Sequence, residues 1–517
     1  QLAAEKQPDY IFGICSFTHH AADVPKWART ERTQTNKFGV KDKNDFKRYV
    51  GGVAKVNAHR YSHMERRPYE LTWEPNLSGP HYSKQPPYWT VQDTVDFYRD
   101  YAPVIRANDP KALILGPKPT FDPGYIEKAL QLGLGKYIDA ISIHMYGTQV
   151  PEEGELPAKI ARLRELGRKY MGREIDLYNT EAGYHSKING VHDLRGQARK
   201  LIRYTLIMQG EGVKAFLMFY LFDHSLGDYG SWGLYFNPQK EANFGPRELM
   251  PKPIVPAYSV LTSLLRGARP VMHLRWMDTD LWGYVFERDG VPVLALWDPY
   301  RARTIRFPAG NVGEITAVDI MGKRTSVKVE KGIASLEISP DVTYLTGVDP
   351  VVWMCKGLLS ARPGSETVIE ELSQGEVKTI AMPVPFQKAR VRSFGDLDVS
   401  AADGKLRCSV PGNAASGVIP VILEENGESS VLFIRINRPV VLKETTVLAE
   451  EGVMVLQAKL RSSSTRETET ELHLTTEYGT VKRSVKIPPG QEIAVRLPIA
   501  EITKSFDPLQ PLRGTIQ

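Results

Sequence analysis

Tyr69-Glu70-Leu71-Thr72-Trp73-Glu74-Pro75-Asn76 is a short apolar run that ends on a carboxylate and stops at proline. Proline brings no backbone N–H to a sheet, so Pro75 ends a strand and leaves Glu74 at its carboxyl end. Ile175-Asp176-Leu177-Tyr178-Asn179-Thr180-Glu181-Ala182-Gly183-Tyr184 repeats the arrangement three strand-like runs later, with Glu181 in the same kind of position. A lone Glu in either string would read as a surface carboxylate near a turn. Recurrence on two separate strands favours a pair that acts together. Reactive groups at the carboxyl ends of several strands are what a parallel β/α barrel supplies.

Around these strings, short apolar runs alternate with longer amphipathic ones. The strand-like runs are 10–17, 69–73, 112–116, 138–144, 175–180 and 215–222. They are continuous rather than alternating, as expected of parallel strands covered on both faces. Between them, Phe46, Tyr49, Val50, Val53 and Val56 share one helical face, as do Val95, Tyr98, Ala102 and Ile105 behind a Thr90 cap. Ile160, Leu163 and Leu166 form a third stripe, and Leu201, Tyr204, Thr205 and Met208 a fourth. Such alternation implies right-handed β-α units around one parallel sheet. A closed barrel needs eight strands. Six are visible, so the expected fold is a (β/α)8 barrel over residues 1–266 whose first two strands are absent from this chain. An open sheet would leave two unpaired edges.

After Pro251-Lys252-Pro253 the pattern changes to one more helix, 254–266, and then to strands and turns. Segments 281–287 and 291–297 read as a hairpin across Arg288-Asp289-Gly290, with Asp-Gly as the turn signal. Three β-rich blocks are expected: a sandwich at 267–348, an Ig-like sandwich at 351–439, and a further one at 440–517 that is short for a complete sandwich, as a truncated one would be.

Composition narrows the function classes. In 517 residues, 66 basic and 60 acidic side chains are evenly spread, with no tract of the kind that tracks nucleic acid or an anionic membrane. No apolar run approaches the roughly 20 residues of a membrane span, and the first residues have no secretory-signal pattern. No Gly-x-Gly-x-x-Gly or Walker string comes after a strand, so nucleotide binding has no support. The three cysteines, Cys15, Cys355 and Cys408, have no metal spacing. Cys15 reads as a core thiol, and Cys355 with Cys408 allow at most one disulfide. His19 and His20 form a pair without a third ligand at suitable spacing, which points to no metal. No cofactor is expected.

Two carboxyl groups on opposite sides of an anomeric carbon are what hydrolysis of a glycosidic bond requires. Tyr69–Asn76 resembles the fourth-strand motif of clan A glycoside hydrolases, most of all family 39, whose acid/base Glu lies in a Trp-Asn-Glu-Pro-Asn string. Asn179-Thr180-Glu181-Ala182-Gly183-Tyr184 resembles their seventh-strand nucleophile motif. Ile143-His144-Met145-Tyr146 resembles the sixth strand, and residues 10–17 with Pro25-Lys26-Trp27-Ala28 the third. The likeness covers roughly residues 1–348. It implies a retaining glycosidase in which Glu74 is the acid/base and Glu181 the nucleophile, with carboxyl groups about 5–5.5 Å apart. Glu74 would then need to be protonated near neutral pH.

The same resemblance gives His144 and Tyr146 a place in the site, Tyr146 as a partner of Glu181. Trp232, set among glycines after the last strand, either stacks on a sugar or packs the rim. His20 would lie at the same mouth, and Asn76 either contacts sugar or forms the turn. Glu70 reads as structural. One departure stands out: Trp73 occupies the position where the clan has the Asn that binds the sugar 2-hydroxyl. Either that position is recognised differently here or the sugar is substituted there.

The substrate class implied is a β-linked poly- or oligosaccharide, and with it an extracellular or periplasmic location. A non-catalytic carbohydrate-binding or scaffold protein keeping the same fold is the reading from another class. For the absent strands, one expectation is a separate N-terminal fragment that stays bound, as in heparanase-type enzymes of the clan. The alternative is a chain boundary that leaves out a preceding stretch of the same polypeptide.

Overall fold

The computed structural model describes residues 15–16, 29–34, 37–77, 89–224, 230–237, 250–278, 280–354, 370–382, 386–450, 453–464, 467–476, 479–498 and 514–516. The chain divides into two compact units, residues 1–270 with 320–322, and the remainder.

In the first unit six parallel strands stand in chain order: β1 (Cys15–Ser16), β2 (Arg67–Glu70), β3 (Ala112–Thr120), β4 (Ala140–His144), β5 (Leu177–Ala182) and β6 (Ala215–Met218). Each pairs with the next in parallel. A doubly wound sheet reverses its order at a switch point. This one never reverses, so it is an arc of a singly wound (β/α) barrel. Strand β2 is buried along its whole length, whereas every residue of β6 is half-buried.

Helices α1 (Lys43–Arg60), α2 (Val91–Asn108), α3 (Pro123–Gln131), α4 (Leu156–Met171) and α5 (Leu194–Gly210) come after the first five strands in turn, and α6 (Ile254–Leu265) comes after β6. The expected stripes on α2 and α4 are the buried ones, and Thr90 caps α2 with a reciprocal bond to Asp93. On α1 the stripe is rotated from the expected face. Val50, Gly51 and Ala54 are buried, while Tyr49 and Val56 are exposed. The cause is close packing on α2: a Cβ at Gly51 would meet the Asn108 side chain at 3.0 Å, so small residues face inward. A buried ion pair supports the base of β2. Arg67 Nε donates to Asp109 Oδ2 at 2.7 Å, and the Tyr69 hydroxyl donates to the same oxygen at 2.8 Å.

The second unit is antiparallel apart from Glu370–Leu372, which pairs in parallel with Glu428–Ile436. An eight-stranded sheet begins with Arg269–His273, Trp282–Arg288 and Val291–Trp297. The last two form the hairpin anticipated from Asp289-Gly290, paired from Trp282↔Trp297 to Arg288↔Val291. Both turn residues have positive φ, 54° and 81°, as a type I′ turn demands. One apolar core runs from Met272 to Ile436, so the blocks expected at 267–348 and 351–439 share an interior. Trp353 stacks on Phe307 with ring centroids 5.1 Å apart and lies 5.8 Å from Phe433. A smaller core, Leu456 to Leu497, belongs to the last block. Cys408 is a buried free thiol pushed up to about 11 by burial, while Cys355 and the side chain of Cys15 lie outside the described residues. Among the described residues no helix is long and apolar enough to cross a membrane.

Candidate active site

Strand β2 ends at Glu70, four residues before Glu74. Glu74 sits in the turn beyond it with φ +44°, a left-handed conformation uncommon outside glycine. Its backbone N–H donates to the Lys118 carbonyl at 2.9 Å, and its own carbonyl accepts from Leu77 N–H at 3.0 Å. The residue is 7% exposed, and Oε1 lies 2.9 Å from Nδ1 of His144.

Glu181 stands on β5. The Tyr146 hydroxyl donates to its Oε1 at 2.6 Å and the Trp73 indole N–H to its Oε2 at 3.3 Å. Both oxygens therefore have a fixed direction. His144, fully buried at the end of β4, has Nδ1 3.6 Å from Glu181 Oε2 as well as against Glu74. One atom from each of Glu74, His144 and Glu181 lies within 4.8 Å of the other two.

The turn carrying His144 and Tyr146 is held from below. Asn179 Oδ1 accepts from Met145 N–H at 3.1 Å, and Asn179 Nδ2 donates to the Tyr204 hydroxyl at 2.7 Å. Tyr204 in turn donates to the Met145 carbonyl. Burial pushes the Tyr204 hydroxyl well above its ordinary value, which keeps it a donor.

Trp232 lies against this group. Its ring meets Tyr146 edge-on at 5.5 Å and His185 at 3.6 Å between centroids. A Cβ at Gly183 would come within 2.5 Å of the Phe219 carbonyl and 3.0 Å of Trp232, so the segment after Glu181 needs glycine to pass. The loop is anchored by fully buried Lys252, whose Nζ donates to Asp223 at 2.7 Å and Ser186 Oγ at 2.8 Å.

The structure thus brings together five of the eight residues singled out in the sequence around Glu181: Glu74, Trp73, His144, Tyr146 and Glu181 itself, with Trp232 at the edge through Tyr146. Asn76 is engaged elsewhere. Its amide donates to the Thr120 carbonyl and accepts from Thr120 N–H, both at 2.9 Å, which ties the turn to the end of β3. That arrangement fits the turn-forming role. His20 and its neighbour His19 lie outside the described residues. Sequence reasoning missed His185 and Lys118. Lys118 left a signal: like Glu74 and Glu181, it is a charge at the end of an apolar run, here Leu113-Ile114-Leu115-Gly116-Pro117.

Chemically, the arrangement offers two carboxyl groups facing one space across a shared imidazole. The same three donors could chelate a divalent cation. The hydrogen bonds already on both Glu181 oxygens and on His144 Nδ1 would compete with such an ion.

No family model and no curated protein matches this chain. Solved structures do resemble it. A family 39 glycoside hydrolase from Bacteroides cellulosilyticus WH2 is similar over 60% of this chain and 63% of its own, at 19% identity and TM-score 0.47. A family 30 endoxylanase from Clostridium papyrosolvens C71 is similar over 63% and 77%, at 13% identity and TM-score 0.44. A family 30 subfamily 8 xylanase from Clostridium acetobutylicum is similar over 62% and 76%, at 16% identity and TM-score 0.42. The chain spans less than two thirds of the family 39 enzyme's length.

Proposed function

We propose that this protein is a retaining glycoside hydrolase that cleaves a β-linked poly- or oligosaccharide by double displacement. The observation that carries the reading is the convergence of Glu74 and Glu181 on one space: one oxygen of each and the shared His144 nitrogen lie within 4.8 Å of one another. An inverting pair stands about 6.5–9.5 Å apart to admit a water, whereas a retaining pair stands at about 5–5.5 Å.

In the first step Glu181 attacks the anomeric carbon, the bond to the leaving oxygen breaks, and Glu74 passes its proton to that oxygen. In the second, Glu74 takes a proton from water, the water oxygen attacks the same carbon, and the Glu181 ester bond breaks. Tyr146 and Trp73 hold Glu181 in line, because each fixes one oxygen. Trp232 supplies an apolar face beside Tyr146 for the sugar ring. Trp73, standing where a 2-hydroxyl ligand is expected, biases the site toward a sugar that does not need that contact.

The sheet favours a further part of the reading. Among the described residues β1 and β6 each pair on one side only, and two more β/α units would close the barrel. Those units are supplied by a preceding segment or a separate bound fragment. The block at 267–348 is read as an accessory β domain, with those at 351–439 and 440–517 after it, and the protein acts outside the cytoplasm on its glycan.

Digestion of a polysaccharide and aryl β-glycoside panel by native protein and Glu181→Gln tests this. Turnover by the native chain, unchanged by EDTA and abolished in the variant, is expected. Glycan binding without turnover by the native chain would favour the scaffold reading instead.

A further inference from the structure

The backbone ladder between β2 and β3 ends at Glu70↔Leu115. Beyond that point, alternate residues of the segment leading to Glu74 are tied to the later part of β3 by other means. Glu70 Oε2 accepts from Lys118 Nζ at 2.6 Å. Thr72 Oγ1 donates to the Pro117 carbonyl at 2.6 Å. Glu74 N–H donates to the Lys118 carbonyl, and Asn76 closes the row on Thr120. Pro117 has no N–H, so a regular ladder cannot continue here. Glu74 and Asn76 lie in the turn beyond the strand, so the row is held by individual side-chain and backbone bonds rather than by strand periodicity.

Lys118 grips this segment at two places, by its side chain at Glu70 and by its carbonyl at Glu74. Both Lys118 and Glu74 hold positive φ, 58° and 44°. Non-glycine residues persist in that region only where the surroundings fix them. The Glu70–Lys118 pair is buried, at 1% and 7% exposure, so solvent screens it little. Glu70 Oε1 has no hydrogen-bond partner and is equally buried. An apolar pair would fill this place without such a polar remainder.

We infer that the buried Glu70–Lys118 pair is a positioning device for the acid/base carboxylate, closing a clasp that holds the Glu74 backbone in its left-handed turn. The inference rests on the proposed glycosidase reading. Neither residue touches the reacting atoms; they act through Glu74.

The test compares Lys118→Met with Glu70→Gln/Lys118→Met, the double variant leaving no uncompensated buried charge. Substrates are paired 2,4-dinitrophenyl and phenyl β-glycosides of whichever sugar the native chain cleaves. A displaced acid matters most when the leaving group is poor. The double variant is therefore expected to lose kcat/KM, which reports the first step alone, at least tenfold more on the phenyl glycoside than on the dinitrophenyl one, with a broadened acid-side pH profile. Equal losses on both substrates, or none, in a folded double variant would overturn the inference. If the double variant does not fold, an unchanged leaving-group ratio in Lys118→Arg, which keeps the charge but moves the chain, would overturn it equally. Absence of turnover by the native chain would instead sink the glycosidase reading itself.

Discussion

The hairpin Trp282–Trp297 and the segment Glu70–Asn76 solve the same problem, carrying the chain out of a strand, in opposite ways. In the hairpin the ladder is unbroken from Trp282↔Trp297 to Arg288↔Val291 and the turn residues are those the turn type requires. In the second segment the ladder stops at Glu70, and side chains and single carbonyls replace it as far as Asn76. The hairpin is regular because it only has to be stable. The segment is irregular because it carries the chain into the left-handed turn at Glu74, which sets that carboxylate against His144. Where a chain departs from a repeating ladder yet stays buried and hydrogen-bonded, a task beyond folding is the reason to look for.

That contrast can be broken or sharpened by substitution. The largest effect is expected at Glu181→Gln, with kcat falling roughly 10⁴-fold or more, as for removal of a covalent nucleophile. Stability should be unchanged, which calorimetry of the variant would check. Glu74→Gln should cost roughly 10²–10⁴-fold in kcat, the range for a lost general acid, and least on activated aryl glycosides.

Next is Arg67→Met at the base of β2, which leaves Asp109 buried and unpaired. A loss of about 3–5 kcal/mol in unfolding free energy is expected by denaturant titration. Burial opposes ionisation of Asp109, but the Arg67 and Tyr69 hydrogen bonds prevail and hold its pKa below the usual 3.8. A depressed carboxylate contributes stability above its unfolded pKa and loses it as pH falls through the folded one. Native protein should therefore lose this contribution only below about pH 3.8, whereas the Arg67→Met variant should already lack it at neutral pH.

Tyr146→Phe removes one donor from Glu181 and should lower kcat about tenfold to a hundredfold, the equivalent of a hydrogen bond to a charged group. Steady-state kinetics with a single substrate would measure it. The smallest effect lies in the hairpin. Gly290 has φ +81° with open space around it, so Gly290→Ala should cost only backbone strain, about 1–2 kcal/mol, and leave kcat unchanged.

Much of this is legible in the chain. Continuous apolar runs mark five of the strands within a few residues, the stripes on α2 and α4 are the buried ones, and Asp289-Gly290 specifies its turn. Glu74 and Glu181 can be picked because each ends an apolar run. What the sequence does not show is proximity between positions far apart in it. The side-chain row from Glu70 to Asn76 meets residues more than forty positions away, and nothing local marks Lys118 as the partner of Glu70 or Thr120 as that of Asn76. The rotated face of α1 escapes for a related reason. Its small residues answer to the neighbouring helix, not to apolar periodicity. Trp73 is visible as an oddity, but its bond to Glu181 depends on the turn that places Glu74 at positive φ.

The central claim is that Glu74 and Glu181 are close enough for a covalent route. Real-time proton NMR of the first sugar released from a β-linked substrate reads this directly, because the anomeric configuration is seen before mutarotation. A β product formed first, with retention, is the predicted result. An α product formed first would mean single displacement by water, and would contradict the roles given to both carboxylates.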